Sequence, residues 1–495
     1  MKRTLWIGLG LTCLGLGCGS YYERQAAPLA ARDCATLASE AEPSAGEEYT
    51  DYGVRAFVDS VRDPHSTFSV DVDTGSYTIA RRKLREGMLP PAAAVRVEEF
   101  VNYFRQGYPD PAPGEAFGIN AQAMQSPWRE GRALLRVGLQ TRRIDPSQRQ
   151  PANLVFLVDV SGSMGSPDKL GLVKHSLAVL TRALRPDDTV AISTYAGSVE
   201  TVLAPTAVAD REAILDALDD LEAGGSTAMG SGLQLAYELA SERARPGVSS
   251  RVIVCSDGDA NVGAMDHEAL LASIRAHRGR GITLGTVGFG MGNYRDTLME
   301  QLADAGDGSY AYVDGPAEAR RLFREDLISS LELVARDAKV QVEFDPRCVV
   351  RYRLIGYENR AILDQDFRNE RVDAGEVGAG HSVTALYELE LSGDPGPLGE
   401  VRVRYTPPAG GEAIEQRAAI PGELLGVEAA PARLRFAAAV AEFAELLRES
   451  PHTQTPWPSL LAFCEQALST PADEREHELL DLVRRAARIH SALPK

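Results

Sequence analysis

The chain has 495 residues, 44% of them hydrophobic and 25% charged, a globular composition with room for about three domains that excludes a disordered or collagen-like protein. Lys+Arg 52 against Asp+Glu 70 gives a formal charge of −18 with no basic cluster, so a phosphate backbone is repelled and no nucleic acid is expected as a partner. The six Cys and eight His form no CxxC and no HExxH, and GxxxxGK[ST] and GxSxG are absent, which argues against structural zinc and a zincin.

Met1-Lys2-Arg3 precedes an apolar stretch over 5–17 that is too short to span a bilayer and has the length of a signal-peptide core. It ends in Leu14-Gly15-Leu16-Gly17-Cys18, which resembles the lipobox of bacterial lipoproteins. That resemblance implies a signal peptide over 1–18, a lipid on the Cys18 thiol and a membrane-anchored place in the cell envelope. Gly19 rather than Asp after the Cys points to the outer membrane, facing the periplasm or the surface, if the host is Gram-negative. Residues 19–52, rich in Ala, Glu and Ser without an apolar period, read as a flexible tether. Cys34 lies there, and its pairing with another chain, with Cys348 or with Cys464 is left open by spacing alone.

An N-terminal α+β domain is expected over 53–148, with helices at 77–85 and 95–104 and strands at 117–124 and 134–140. The next segment, 149–334, alternates. Asn153-Leu-Val-Phe-Leu-Val-Asp159 is a continuous apolar run of strand length, the pattern of a parallel strand buried on both faces. Leu170, Val173, Leu177, Leu180 and Leu184 then recur at helical spacing, predicting a helix over 167–185. Strands at 190–195, 251–256, 282–289 and 309–313 follow, between helices near 210–222, 229–243, 266–279, 294–305 and 316–333. Such alternation predicts an α/β fold with a doubly wound parallel sheet, whose site lies beyond the carboxyl ends of its strands.

Three loops of this segment carry oxygen ligands: Asp159-Val160-Ser161-Gly162-Ser163, Gly224-Gly225-Ser226-Thr227 and Ser256-Asp257-Gly258. Carboxylates and hydroxyls without His or Cys suit Mg²⁺, with Mn²⁺ or Ca²⁺ as alternatives, rather than Zn²⁺. Asp159-x-Ser161-x-Ser163, then Thr227 and then Asp257, resembles the metal-ion-dependent adhesion site (MIDAS) of von Willebrand factor type A domains. The resemblance implies hydroxyl ligands from Ser161, Ser163 and Thr227, with Asp159 and Asp257 binding directly or through water. Thr67-Phe-Ser-Val-Asp71-Val-Asp73-Thr-Gly-Ser-Tyr77, Arg96-Val-Glu-Glu-Phe-Val-Asn-Tyr103-Phe, Gly258-Asp-Ala-Asn-Val-Gly263, Leu354-Ile-Gly-Tyr-Glu-Asn-Arg360 and Asp373 to His381 are similar to the bacterial YfbK-like A-domain lipoproteins, from about residue 53 to the C-terminus.

Beyond the A domain, 335–425 is expected to be β-rich, with strands at 339–344, 349–354, 382–391 and 400–405. The A domain is thus expected to be inserted between β segments that join into one sandwich. A helical tail over 430–495 includes a stripe of Phe436, Val440, Phe443 and Leu447. Three motifs compete with this picture. Asp71-Val-Asp73-Thr-Gly75 has Gly75 where a phosphotransferase aspartate loop needs Thr or Val, so its carboxylates are expected to be solvated at a strand end. Asp257, Asp259, Asn261 and Glu268 have Val262 where a Ca²⁺ loop needs Gly. Gly288-Phe-Gly290-Met-Gly292 lacks the sixth-position glycine of a dinucleotide fingerprint, so a plain βα turn is expected there.

No acid, base or nucleophile sits beside the ligand residues in sequence unclaimed by them, so an enzyme is not expected. The expected function is a divalent-metal-dependent binding or scaffold protein whose metal accepts a Glu or Asp from a protein partner. The alternatives are a metal-dependent hydrolase using Asp159 or Asp257 as base, and a structural envelope protein with a stabilising metal.

Overall fold

The computed structural model describes residues 49–492 apart from 71–72, 146, 226–228, 259–266, 291–295, 373 and 470. Cys18 and Cys34 therefore lie outside the described residues. The chain begins with strand β1 (His65–Ser69), helices α1 (Gly75–Arg85) and α2 (Val97–Tyr103), and a hairpin of β2 (Phe117–Gln125) and β3 (Arg132–Thr141). The alternating segment comprises β4 (Ala152–Asp159), α3 (Leu172–Ala183), β5 (Thr189–Tyr195), β6 (Val199–Ala207), α4 (Arg211–Asp219), α5 (Met229–Arg243), β7 (Ser249–Ser256), α6 (His267–Arg278), β8 (Ile282–Phe289), α7 (Asp296–Ala305) and β9 (Tyr310–Val313). Helical turns over 316–330 lead into β10 (Leu333–Phe344), β11 (Val349–Ile355), β12 (Ser382–Leu391), β13 (Gly399–Thr406) and β14 (Ile414–Ile420). Three helices close the chain: α8 (Ala432–Leu447), α9 (Trp457–Ala467) and α10 (Glu474–Ala492).

The alternating segment forms one sheet in the order β9-β8-β7-β4-β5-β6, parallel except for the antiparallel edge strand β6. Every residue of β4 is buried. Val155 and Leu157 face a cluster with Leu233 and Tyr237 of α5, while Leu154, Phe156 and Val158 face Leu177 and Leu180 of α3. Helices on both faces explain why an unbroken apolar run is stable here, because neither face meets water. The predicted helix over 167–185 divides in two. Pro167–Gly171 is a π-helical turn and the α-helix proper starts at Leu172.

The strands before and after this segment pair with one another. One sheet runs β11-β12-β3-β2, with β12 and β3 joined at Ala385 opposite Val137. The second holds β1, β10, β13 and β14, with Val340 of β10 paired to both Phe68 and Val403. Leu135, Val137 and Tyr387 of the first sheet and Val340, Val342 and Val401 of the second share one core, so the two sheets make a sandwich into which the α/β segment is inserted. A further core joins α1 and α2 to the tail through Phe100, Phe104, Phe436, Val440 and Phe443. The apolar stripe of α8 is therefore the face that meets α2. Among the described residues no helix is long and apolar enough to cross a membrane.

Asp71 lies outside the described residues, and Asp73 is buried rather than solvated at a strand end. Its Oδ2 accepts from Arg360 Nη2 at 2.6 Å and its Oδ1 from the Tyr310 amide at 2.8 Å. Glu99 and Glu300 offer oxygens within 4.8 Å of Asp73 and of each other. Arg360 also donates to Glu300 at 3.0 Å, and Arg96 donates to Glu99, so two guanidinium groups pair with the three buried carboxylates and offset two of their three charges. The aspartate, RVEEF and YENR motifs thus converge on one ionic junction. It binds the sandwich and α2 to α7 and β9 of the inserted domain.

Candidate metal centre

Asp159 is the last residue of β4, and the parallel register of β4 with β7 sets Val158 opposite Cys255. Ser256 and Asp257 therefore emerge beside Asp159 at the carboxyl edge of the sheet. The Asp159 side chain is fully buried. Its Oδ1 accepts from the Ser161 amide at 2.8 Å and its Oδ2 from the Ser256 hydroxyl at 3.1 Å. The Ser256 oxygen in turn accepts from the Gly258 amide at 3.1 Å, which ties the two loops together. Ser161 Oγ lies 3.0 Å from Ser163 Oγ, and Ser163 is exposed while Ser161 is buried. The carboxylates form the floor and Ser163 the rim.

The loop preceding α5 is stitched to the same place. Gly162 N–H donates to Gly225 O at 3.1 Å, and Gly224 N–H to Val160 O at 2.7 Å. Gly225 has φ +89°, and a Cβ there would lie 2.8 Å from the Gly197 backbone nitrogen, so the approach of the two loops requires glycine. Thr227 itself lies outside the described residues, as do Asp259 and Asn261. Asp159, Ser161, Ser163 and Asp257 are brought together.

Burial raises the Asp159 carboxyl above its ordinary range, and the neighbouring Asp257 charge adds to the effect. Tyr195, at the end of β5, is held well above the ordinary tyrosine value, first by burial and then by the Asp159 charge, and so presents a neutral phenol beneath the site. Two carboxylates and two hydroxyls at one edge, with no His or Cys among the described residues of the site, fit a hard divalent cation. Such an ion offsets both the desolvation of Asp159 and its repulsion from Asp257.

Sequence reasoning missed two neighbours of this group, Tyr195 and Lys169, and named Ser256 without its bond to Asp159. Lys169 Nζ donates to Asp257 Oδ2 at 2.8 Å, both side chains being nearly inaccessible to water. Ser256 was legible as the residue beside Asp257. Lys169 was not, because nothing in a helical apolar pattern reports a contact 88 residues away.

Residues 153–325 match the von Willebrand factor type A domain family. Residues 43–136 match a von Willebrand factor family, and 329–397 and 395–489 match the family described as "Uncharacterized protein YfbK, C-terminal". The chain is 35% identical over 490 residues to the uncharacterized protein YfbK of Escherichia coli strain K12, covering 93% of this chain and 84% of that protein. The chain belongs to the YfbK family. The uncharacterized protein sll0103 of Synechocystis, 27% identical over 287 residues, covers 56% of this chain and 67% of its own length. Among solved structures, the von Willebrand factor type A protein of Catenulispora acidiphila aligns at 19% identity and a TM-score of 0.41, covering 67% of this chain and 79% of that one. An A domain within a YfbK-family framework is thus the family's architecture as well as this chain's fold, and A domains as a class serve protein binding and adhesion.

Proposed function

We propose that the chain is a cell-envelope-anchored binding or scaffold protein in which Asp159, Ser161, Ser163, Thr227 and Asp257 hold a divalent cation, Mg²⁺ above all, that takes a Glu or Asp of a protein partner. The observation that carries this reading is the pair of buried carboxylates at adjoining strand ends beneath an exposed hydroxyl. When bound, the ion supplies Lewis acidity toward an external carboxylate. Asp159 and Asp257 supply two negative charges, so they neutralise a divalent ion without overcompensating it. The Ser256 hydroxyl and the Ser161 amide fix the two Asp159 oxygens, leaving Ser163 at the rim where an incoming side chain arrives. A charge of −18 repels an acidic partner at long range, but salt screens that repulsion beyond about 8 Å while metal coordination is short-ranged.

Anchoring through a lipid on Cys18 places the domain at the envelope. Crosslinked pull-down from envelopes in Mg²⁺ and in EDTA tests the binding claim, with Asp159→Ala in parallel. Capture lost in EDTA and in the variant, with the circular dichroism of the α/β core retained, is the expected result. A partner held equally well in all three conditions refutes the metal contact, and a Cys18 unmodified by mass spectrometry refutes the anchor.

A further inference from the structure

Lys169 sits in the π-helical turn between the β4 loop and α3, and its side chain lies against Gly290, the residue that follows β8. Gly290 forms the floor of that passage. It has φ +74°, and a Cβ there would stand 2.2 Å from Lys169 Cγ and 2.7 Å from Cε, so the lysine stem fills the space a side chain would take. The floor is pinned from two sides, since the Gly290 carbonyl accepts from Arg82 Nη1 of α1 at 3.1 Å and from the Tyr312 hydroxyl. The ammonium is thereby delivered to Asp257 Oδ2 at 2.8 Å, with 12% of the lysine side chain and 2% of the aspartate side chain exposed. A lysine placed this way is built into the site rather than drifting over it.

Its position conflicts with a divalent ion. An ammonium and a doubly charged cation sharing one buried carboxylate repel strongly where water screens poorly. Resting on the metal-site reading above, we propose that Lys169 is a tethered counter-cation. Its ammonium neutralises Asp257 while the metal is absent and is displaced from that oxygen when a divalent ion binds. Metal affinity is then set by competition with an internal cation. Monovalent ions, which carry no more charge than the ammonium and lack its tether, do not displace it, so the lysine also selects for divalent ions.

The test is titration calorimetry of Mg²⁺ and Mn²⁺ into the full chain and its variants Lys169→Met and Lys169→Arg, with melting temperature measured in EDTA and in excess Mg²⁺. Methionine keeps an unbranched stem over Gly290, one atom shorter, and removes the charge together with its hydrogen bond to Asp257. The expected result is a Kd for both ions at least tenfold lower in Lys169→Met, with a lower melting temperature in EDTA and a larger rise on adding Mg²⁺. Lys169→Arg is expected to bind metal no more tightly than the wild type. Binding by Lys169→Met alone, with none by the wild type, also supports the competition. If the wild type binds metal and Lys169→Met binds it equally or more weakly, the lysine is a support for Asp257 and the competition is refuted while the metal site stands. If neither binds either ion, both readings fall together.

Discussion

The ionic junction around Arg360 makes a demanding prediction, because one guanidinium there serves two buried carboxylates from different parts of the fold. Arg360 lies in the loop after β11 and donates to Asp73 at 2.6 Å and to Glu300 and Asp304 at 3.0 Å each. Asp73 and Glu300 are almost fully buried, whereas Asp304 is substantially exposed and is discounted. Removing one partner of a buried pair leaves the other charge unsolvated, which costs about 3–5 kcal/mol. Arg360→Met should therefore lower the unfolding free energy by about that amount in urea titrations followed by circular dichroism. Arg360→Lys should fall between, since a single ammonium cannot reproduce the planar fork. The deficit should be smaller at pH 5 than at pH 8, because stranded carboxylates have raised folded-state pKa values and can take up protons as the pH falls. Adding Asp73→Asn and Glu300→Gln to Arg360→Met should restore much of the loss. If Arg360→Met alone stays within about 1 kcal/mol of the wild type at both pH values, the junction is not what holds the inserted domain to the sandwich.

Two further outcomes follow from single positions. Burial, with Glu358 and Glu99 nearby, pushes the Glu98 carboxyl up to about 7. Between the ordinary 4.5 and about 7 the folded state keeps a proton that the unfolded chain releases, so stability falls as pH rises through this window, by up to about 1.4 kcal/mol per pH unit. Glu98→Gln retains an oxygen for the Tyr357 amide, bonded at 2.9 Å, and should flatten that slope and unfold at higher denaturant than the wild type at pH 8. Equal slopes in the two proteins would rule this out. Gly225→Ala forces a side chain into φ +89° and against the Gly197 backbone, and should cost about 1–3 kcal/mol while weakening Mn²⁺ binding measured by calorimetry. An unchanged Kd would separate the loop from the proposed ligands.

What was legible in the sequence follows from how local each signal is. The β4 run showed itself because both its faces are covered, so every residue had to be apolar. Strands β6 and β14 did not. β6 is a mostly exposed edge strand containing Pro205, and β14 is polar with only Ile420 buried, so neither needs an apolar period. The proposed ligand residues Asp159, Ser161 and Ser163 lie within five residues at the end of β4, and Asp257 directly follows the neighbouring strand, so spacing and strand order together suggested their meeting. Asp73 was misread as solvated because its burial depends on Arg360, 287 residues further along, and no neighbouring residue reports that partner. The sandwich was accessible only as an inference from two strand sets too small to bury a core apart.

The same long-range contacts bear on how the inserted domain is framed. A parallel sheet leaves its edge strands with unpaired backbone groups, and β9 is such an edge. Helix α1 of the framework lies against it so closely that a Cβ on Gly75 would stand 2.4 Å from the Tyr310 ring. The helix then continues the contact with charge: Arg81 donates to Asp314 just after β9, at 2.6 and 2.7 Å, and to Glu318 at 2.8 Å, all three side chains being buried. The next residue, Arg82, reaches Gly290, whose loop carries the Lys169 stem toward Asp257. Helix α1 therefore covers the sheet edge, neutralises the end of β9 and supports the passage to the candidate metal centre. A domain attached by linkers alone needs none of these contacts. Their presence makes the framework part of the site's construction, because moving the Lys169 stem means working against a glycine loop that α1 and β9 hold in place.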